Sequence, residues 1–466
     1  MRTLAAPASA AVPARPEREA RVRELGREIA AGQAAAGRSR TRVLEDRGME
    51  LLSRDPALKA ALFRLVDVAP ACAGPRELAA HLAALLGEVE RPLAPGGASP
   101  GRFARTVVPL ARRVSIRPAT RRAVGGVAGV AVHRMAKRFI VGAGPAEAVP
   151  ALRALWDGGA AASVDLLGEA TVTAAEADRY AQRCDEALRT LAEAARAWPS
   201  RPRLEADSHG PIPRVNLSVK VTALTARVRA DAPELGIRDA ADRLRGLLRT
   251  ARDIGAHLHV DMESMDSRDL ITELVIDLLH EPEFKDGPSA GIVLQAYLRD
   301  ADEQLDQLLG GYVSAARSTP LTIRLVKGAY WEHETVEAHQ NGWTPPVFEA
   351  KVESDRNFER LTRRLLGARE LVRPAIASHN VRSIAHALAY APDTRDVELQ
   401  VLRGLGDDLQ QALAGMDLRV RTYCPVGDLV AGMSYLVRRL LENTSNDSFL
   451  LSRSRGQELD TLLAAP

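Results

Sequence analysis

The spacing of apolar residues along the chain changes near residue 160. Before that point apolar side chains recur at helical intervals, most clearly in Pro75–Val89, and a helix-favouring composition predicts further helices at Arg21–Gln33 and Arg40–Leu52. Proline and glycine are concentrated in Arg91–Gly101, which predicts a loop. We therefore expect residues 1–145 to form an all-helical accessory region.

After residue 160, short β-rich runs alternate with amphipathic helical stretches such as Ser267–Leu279 and Asn357–Leu371. Eight repeats over roughly 285 residues are typical of an α/β fold of the TIM-like (β/α)8 barrel type, and a doubly wound sheet is the alternative. We expect the barrel to span residues 146–452 and a tail to cover 453–466. The predicted strands are Ala162–Leu167, Val215–Lys220, His257–Met262, Gly291–Ala296, Thr322–Lys327, Pro374–His379, Val397–Leu402 and Leu418–Tyr423.

Composition narrows the class of protein. Apolar residues make up 46% of the chain, enough for a large core, and 63 basic against 60 acidic residues give a net charge of +3, too balanced to indicate a nucleic-acid partner. The three cysteines form no C-x-x-C pair, which excludes a disulfide framework or a zinc cluster. We expect a cytoplasmic protein, and peripheral contact with the inner face of a membrane remains open.

Polar side chains follow the predicted strands at their carboxyl ends. In a parallel barrel these ends meet, and active sites form there. Seven strands carry such groups, which predicts one shared site. The residues are Lys220, Asp261 with Glu263, Gln295 with Tyr297, Arg324 with Lys327, Ser378 with His379 and Asn380, Glu398 with Gln400, and Tyr423.

Lysine is rare in this chain, yet Lys220 and Lys327 stand at strand ends and Lys351 lies in the helical region that follows. A lysine offers a compact charge where an arginine is a planar fork, so we interpret these three as functional.

On the third strand, His257, His259 and Asp261 share a face, but the outer pair is about 13 Å apart, too far to bind one metal ion. We predict no metal site and interpret both histidines as filling the barrel; the alternative is a metal site in which two of these residues combine with donors from other strands.

The last predicted helix, Asp428–Glu442, has an apolar stripe, and Arg438 and Arg439 fall largely off it. Two guanidinium groups could bind a carboxylate or phosphate. On spacing alone, the favoured interpretation is a solvated face with an ordinary Arg438–Glu442 pair. No G-x-G-x-x-G or P-loop sequence occurs, so a Rossmann cofactor site is not predicted.

Several longer motifs resemble the proline dehydrogenase family, in the form found in the amino-terminal half of bifunctional proline utilization A proteins. The resemblance covers residues 130–452. The motifs are RLVKGAYWE (324–332), ELQVLRGLGDDL (398–409) and YLVRRLLENTSNDSF (435–449), with LLGEA (166–170), NLSVKVTAL (216–224), VDMES (260–264) and GIVLQAYL (291–298) in the family's order.

The resemblance implies a distorted (β/α)8 barrel that holds FAD without a Rossmann domain. It also implies the first step of proline catabolism to glutamate, the oxidation of L-proline to 1-pyrroline-5-carboxylate. In this reaction hydride passes from proline C5 to flavin N5, and a quinone then accepts the electrons. The expected partners are L-proline, the quinone and an aldehyde dehydrogenase module or protein for the product; no nucleic acid is expected.

Residue roles follow from the same resemblance. Asp261 and Arg324 are the expected catalytic pair, and an acid such as Asp261 would stabilise the positive charge that develops on the proline nitrogen. The expected substrate-binding residues are Lys220, Tyr423, Arg438, Arg439, Leu402 and Glu169, with Glu169 closing the site against Arg438. The expected flavin-contacting residues are Met262, Gln295, Arg324, Lys327, Gly328, Ala329, Tyr330, Trp331, Lys351, Ser378, His379, Asn380, Gln400, Glu442 and Asn443.

Two features depart from the family pattern. Ala350 stands where some relatives have an arginine, and Lys351 is the candidate to replace that flavin contact. No aldehyde dehydrogenase half follows residue 466, so we expect either a fragment or a single-function chain.

Two other hypotheses remain: a barrel enzyme that forms a Schiff base on Lys220 or Lys327, and a non-catalytic nucleic-acid binder that uses the basic stretch 102–122.

Overall fold

Eight parallel strands close into a barrel in the computed structural model, which describes residues 15–36, 55–90, 102–168, 171–228, 232–428, 432 and 457–466. Each strand pairs with the next in sequence, and the first pairs with the last. The (β/α)8 prediction is confirmed and the doubly wound alternative is wrong. The strands are β1 (Ala161–Leu166), β2 (Asn216–Val219), β3 (His257–Val260), β4 (Ser289–Gln295), β5 (Leu321–Val326), β6 (Val372–Ala377), β7 (Glu398–Leu402) and β8 (Val420–Val426).

Helices precede and surround the barrel. In chain order they are α1 (Arg15–Ala35), α2 (Pro56–Val68), α3 (Pro75–Glu90), α4 (Arg102–Ile116), α5 (Pro118–Phe139), α6 (Pro145–Asp157), α7 (Ala174–Arg196), α8 (Pro202–Glu205), α9 (Val221–Leu224), α10 (Pro233–Ile254), α11 (Met265–His280), α12 (Ala301–Ala315), α13 (Trp331–Asn341), α14 (Lys351–Gly367), α15 (Val381–Tyr390), α16 (Asp407–Gly415) and α17 (Leu459–Leu462). Short 3₁₀ turns cover Ala69–Ala71, Pro282–Phe284 and Thr394–Asp396.

The amino-terminal region is helical wherever the structure describes it. Helices α2 to α5 share a small core of their own, and α1 packs on the barrel helices α15 and α16. The predicted helices at 21–33 and 75–89 lie within α1 and α3, whereas those at 40–52 and the loop at 91–101 lie outside the described residues. Within the described part of the chain, no helix is both long and apolar enough to span a bilayer.

Successive side chains along each strand point alternately outward and inward, which gives the barrel an apolar outer layer and a polar interior. Outward residues such as Leu217, Leu258 and Ile292 are fully buried against the helices. Inward residues are polar, and neighbouring strands place them side by side: Ser218 lies opposite His259, and His259 opposite Gly291. A Cβ atom at position 291 would lie 2.3 Å from the imidazole of His259, so the glycine makes room for that ring.

Candidate active site

Four side chains from four strands meet at the carboxyl end of the barrel. Arg324 of β5 donates from Nη1 to Oδ1 of Asp261 at 2.8 Å, and the Tyr423 hydroxyl of β8 donates to Oδ2 at 2.6 Å. The Nζ atom of Lys220, which follows β2, lies 3.6 Å from the same Oδ2. The structure thus brings together the two expected catalytic residues and two of the expected substrate-binding residues.

Lys220 also bonds to a carboxylate that the sequence analysis did not single out. Its Nζ donates to Oδ1 of Asp165 at 2.5 Å, and Asp165 of β1 is completely buried. Burial alone would lower the pKa of Lys220, but the carboxylates of Asp165 and Asp261 outweigh it and raise that pKa above its ordinary value. The lysine therefore stays protonated and holds a positive charge beside Asp261.

Hydrogen bonds to strand residues fix the guanidinium of Arg324 in place. Its Nη2 lies 3.1 Å from the hydroxyl of Ser218 and 3.4 Å from that of Ser163, and the group sits 5.4 Å from the centre of the Tyr423 ring. Its buried Nε has no acceptor among the described residues. One N–H of a rigid, nearly inaccessible arginine is therefore available to a bound molecule.

A second basic group lies between the end of β5 and the start of α14. Lys327 and Lys351 both bond to Asp355, so two ammonium groups share one carboxylate. Burial lowers the pKa of Lys327, and the charge of Lys351 lowers it further, against the opposing effect of Asp355. The excess positive charge here suits an anionic group such as a phosphate.

The loops after β3, β4 and β5 carry several expected flavin contacts. Met262 is buried, and Gln295 donates from Nε2 to the carbonyl of Glu263 at 3.1 Å. Gly328 has a φ of +136°, and a Cβ atom there would lie 2.4 Å from the ring of Tyr297, so this position requires glycine. Ala329, Tyr330 and Trp331 lead into α13, and Trp331 Nε1 donates to the Phe348 carbonyl at 2.9 Å.

The ends of β6 and β7 are linked through His379. Its Nε2 accepts a hydrogen bond of 2.9 Å from the backbone N–H of Leu402, which places both residues at the site. Ser378 Oγ accepts from the backbone of Asn380 at 3.1 Å, and the Asn380 side chain caps α15 by accepting from the backbone N–H of Arg382 at 2.9 Å. These bonds hold the loop after β6 in one conformation.

Glu398 does not belong to this end of the barrel, which corrects its grouping with the strand ends. It begins β7 and bonds to Arg421 through both carboxylate oxygens, at 2.8 and 2.9 Å. Gln400, an expected flavin contact, donates to Glu398 at 2.7 Å and is 4% exposed. The amide of Gln400 is therefore turned towards the barrel interior.

The two histidines of β3 pack inside the barrel, as the sequence analysis preferred. His257 Nε2 lies 3.1 Å from His259 Nδ1, and His257 Nδ1 lies 2.8 Å from the hydroxyl of Ser289. Burial, followed by the charge of Arg421, lowers the pKa of His257 to about 3, so the ring is neutral. Neither histidine is in a group of side chains placed to bind a metal within the described ranges.

Five expected site residues lie outside the described residues, namely Glu169, Arg438, Arg439, Glu442 and Asn443. Conversely, four residues that contact the site were not predicted from the sequence, namely Ser163, Asp165, Ser218 and Asp355. The signal for Asp165 was available, because it is a charged residue inside a strand whose other members are apolar or small. A buried charge in such a strand needs a partner, and Lys220 is that partner.

Taken together, the site offers a protonated lysine and a buried arginine beside one carboxylate, with an aromatic wall provided by Tyr423. Cationic groups bind a small carboxylate, and an aromatic face packs against an apolar ring. Asp261 can stabilise positive charge that develops on a substrate. The second group, Lys327 with Lys351, can bind the anionic part of a cofactor.

Comparisons with known proteins agree with this arrangement. The sequence matches the family model described as Proline dehydrogenase over residues 148–452, and the one described as Proline utilization A N-terminal domain over 19–139. It is 31% identical to the Bifunctional protein PutA of Escherichia coli over 350 residues, which are 72% of this chain and 25% of that protein. It is 29% identical to Proline dehydrogenase of Deinococcus radiodurans, over 73% of this chain and 97% of that protein.

A solved structure extends the likeness to nearly the whole chain. Proline utilization A from Bdellovibrio bacteriovorus, crystallised after inactivation by N-propargylglycine, superimposes with a TM-score of 0.85 at 34% identity. The match covers 96% of this chain and 44% of that one. The chain thus spans less than half the length of the bifunctional relatives that it matches.

Proposed function

Since the chain belongs to the proline dehydrogenase family, we propose that it oxidises L-proline to 1-pyrroline-5-carboxylate with FAD as its cofactor. The observation that carries the proposal is the cluster of Asp261, Arg324, Lys220 and Tyr423 at the carboxyl end of the barrel. A small anion bearing an apolar ring needs cationic groups for its carboxylate and an aromatic wall for its ring. Lys220 and Tyr423 supply one of each.

In this proposal the carboxylate and the ring of the substrate are bound by different residues. Arg438 and Arg439, with Lys220, bind the proline carboxylate, and Glu169 closes the site by pairing with Arg438. Tyr423 and Leu402 pack against the pyrrolidine ring. Asp261 stabilises the positive charge that develops on the proline nitrogen as hydride leaves C5. Arg324 and Tyr423 hold both oxygens of Asp261 in place, so that the carboxylate is fixed before the reaction begins.

The described residues fit FAD. The buried Nε of Arg324 has no acceptor, which suits a flavin ring atom, and the charge excess at Lys327 and Lys351 suits the pyrophosphate. The loop residues Met262, Gln295 and Gly328 would contact the flavin beside them. When bound, FAD supplies the redox chemistry, since its N5 accepts the hydride and its electrons pass to a quinone.

Partners follow from this chemistry. A quinone is dissolved in a membrane, so we include peripheral contact with the inner membrane surface in the proposal. The product is a substrate for an aldehyde dehydrogenase once its ring opens, so we include such a module or protein as the consumer of the product.

The test is an absorbance spectrum of the purified chain before and after addition of L-proline under anaerobic conditions. We expect the oxidised flavin bands to be present and to bleach with L-proline, but not with glycine. A chain that is colourless and takes up no FAD would refute the proposal.

The Schiff-base hypothesis would require substrate to be trapped on a lysine by borohydride. The raised pKa of Lys220 disfavours this residue as that nucleophile, because a protonated amine does not attack a carbonyl.

A further inference from the structure

The opposite end of the barrel, where the strands begin, contains a cavity with no role in the proposed reaction. Its lining includes three arginines, Arg373, Arg419 and Arg421, together with Glu398, His257 and Ser289. Most of these side chains are less than one-tenth exposed. A cavity walled by three buried arginines is unusual, because each buried charge needs a partner.

Only two carboxylates, those of Glu398 and Asp207, accept hydrogen bonds from these three guanidinium groups in the described structure. Arg421 is paired with Glu398 through two hydrogen bonds, and Arg373 is paired with Asp207 through two, at 2.9 and 3.1 Å. Asp207 is also the acid that Arg419 contacts, from Nη1 to Oδ2 at 3.2 Å. Because Asp207 is already used by Arg373, the five groups together carry one unbalanced positive charge.

No nearby titratable group among the lining residues removes that charge. His257 is neutral, since burial and then Arg421 lower its pKa to about 3. Asp396 is close to the same hairpin, where it accepts from the backbone N–H of Ser208 at 3.0 Å, but it forms no ion pair with any of the three arginines in the described structure.

Arg419 is the arginine that has no carboxylate of its own to balance its positive charge. It is 2% exposed, it lines the cavity, and its Nε has no hydrogen-bond acceptor among the described residues. Burial lowers its pKa, and the charges of Arg373 and Arg421 lower it further, against Glu398 and Asp207. Asp207 accepts from its Nη1, so the Nε–H is the donor of Arg419 that an additional acceptor could satisfy.

We propose that this cavity binds one small monovalent inorganic anion, of the size and charge of a halide, against Arg419. One negative charge neutralises the five-residue group, whereas a divalent oxyanion would leave it negative. The hydroxyls of Ser289 and Thr322 and the amide of Asn216 bring further polar groups to the wall. Arg419 comes directly before β8, and its contact with Asp207 links it to the hairpin of the two short strands Ala206–Asp207 and Gly210–Pro211.

Thermal unfolding of the full chain in chloride, bromide or gluconate at constant ionic strength tests the proposal. We expect the midpoint to rise with chloride and bromide, to saturate at a gain of roughly 1–3 °C, and not to rise with gluconate. Arg419→Gln should lose the halide dependence, and the matched variant Arg395→Gln, at an arginine that is 72% exposed at the same end of the barrel, should keep it.

Crystals of the unaltered protein soaked in bromide make the proposal independent of whether Arg419→Gln folds. Anomalous scattering should place a bromide ion in the cavity beside Arg419. A midpoint indifferent to halides, an equal halide dependence in Arg419→Gln, or bromide bound only at other places would each overturn the proposal.

Discussion

Tyr423 and Asp261 are joined by a hydrogen bond of 2.6 Å although 162 positions separate them in sequence. The bond exists because β8 closes the barrel against β1, which brings the last strand to the same end as β3. Burial, then the charges of Asp165 and Asp261, raises the pKa of Tyr423 well above its ordinary value. Tyr423 therefore remains a neutral hydrogen-bond donor to the carboxylate of Asp261 at neutral pH.

Replacing Tyr423 with phenylalanine removes this donor and keeps the ring. A hydrogen bond to a charged group contributes about 1.5–3 kcal/mol, so kcat/KM for proline should fall roughly 10- to 150-fold in Tyr423→Phe. Steady-state kinetics with an artificial electron acceptor measure this ratio. The control is Tyr390→Phe, on α15, where the ring stacks on His386 at 4.3 Å and should leave kinetics unchanged. Equal kcat/KM values in Tyr423→Phe and the unaltered protein would contradict the prediction.

Sequence patterns predicted the barrel because each strand is short, apolar on one face and followed by a helix. All eight predicted strands overlap observed ones, and their ends differ by three residues or fewer. The same logic located Lys220, Asp261, Arg324 and Tyr423, since carboxyl ends of parallel strands must meet. Position in or directly after a strand was enough to locate these four side chains.

Contacts that depend on the relative shift of neighbouring strands could not be predicted from the sequence pattern. Asp165 is the fifth of the six residues of β1, and its pairing with Lys220 depends on how far β1 and β2 are shifted along each other, which is set by the closed sheet as a whole. Glu398 was grouped with the carboxyl ends because it shares a strand face with Gln400, although it is the second residue of the predicted strand 397–402 and the first residue of β7. Asp355 lies in a helix, where no pattern distinguished it.

Replacing Lys220 with methionine should lower the free energy of unfolding. The change leaves Asp165 buried without its partner, and breaking a buried ion pair in this way costs about 3–5 kcal/mol. Urea denaturation measures the loss. The exposed Lys285 provides the matched control, because Lys285→Met removes a lysine that forms no ion pair in the described structure.

A second substitution distinguishes the buried charge from lost packing. If Asp165 is the cause, the double variant Lys220→Met with Asp165→Asn should recover part of the lost stability, since an amide is less costly to bury than a charge. A double variant as unstable as the sum of its two single variants would show that the two residues are not coupled.

Arg439→Met should raise the KM for proline roughly 10- to 100-fold and leave FAD bound, because the proposal uses this guanidinium only for the substrate carboxylate. Proline saturation curves and the flavin absorbance of the same samples provide both readings. Arg395→Met, which removes an exposed arginine paired with Asp393, is the control and should change neither reading. An unchanged KM in Arg439→Met would show that the residue is misassigned.

His386 makes stability depend on pH. It is buried between α14 and α15, and Arg363 donates to its Nε2 at 3.3 Å, which requires an unprotonated ring. Burial, followed by the charges of Arg363 and Arg382, lowers its pKa to about 3. In the unfolded chain the ring has an ordinary pKa of about 6.5, so below that pH the unfolded state binds a proton that the folded state does not.

Stability should therefore fall as the pH is lowered through 6.5, by up to about 1.4 kcal/mol per pH unit from this residue alone until the pH approaches 3. His386→Asn keeps a polar side chain and removes the titration, so its unfolding free energy should fall less steeply between pH 7 and pH 4.5 than that of the unaltered protein. His257 and His259 remain in both proteins, so the difference in slope reports His386 together with the carboxylate of Glu359, whose Oε2 lies 3.3 Å from His386 Nδ1. The control His339→Asn changes an exposed ring and should keep the original slope. Identical slopes in His386→Asn and the unaltered protein would mean that the buried ring accepts a proton in the folded state.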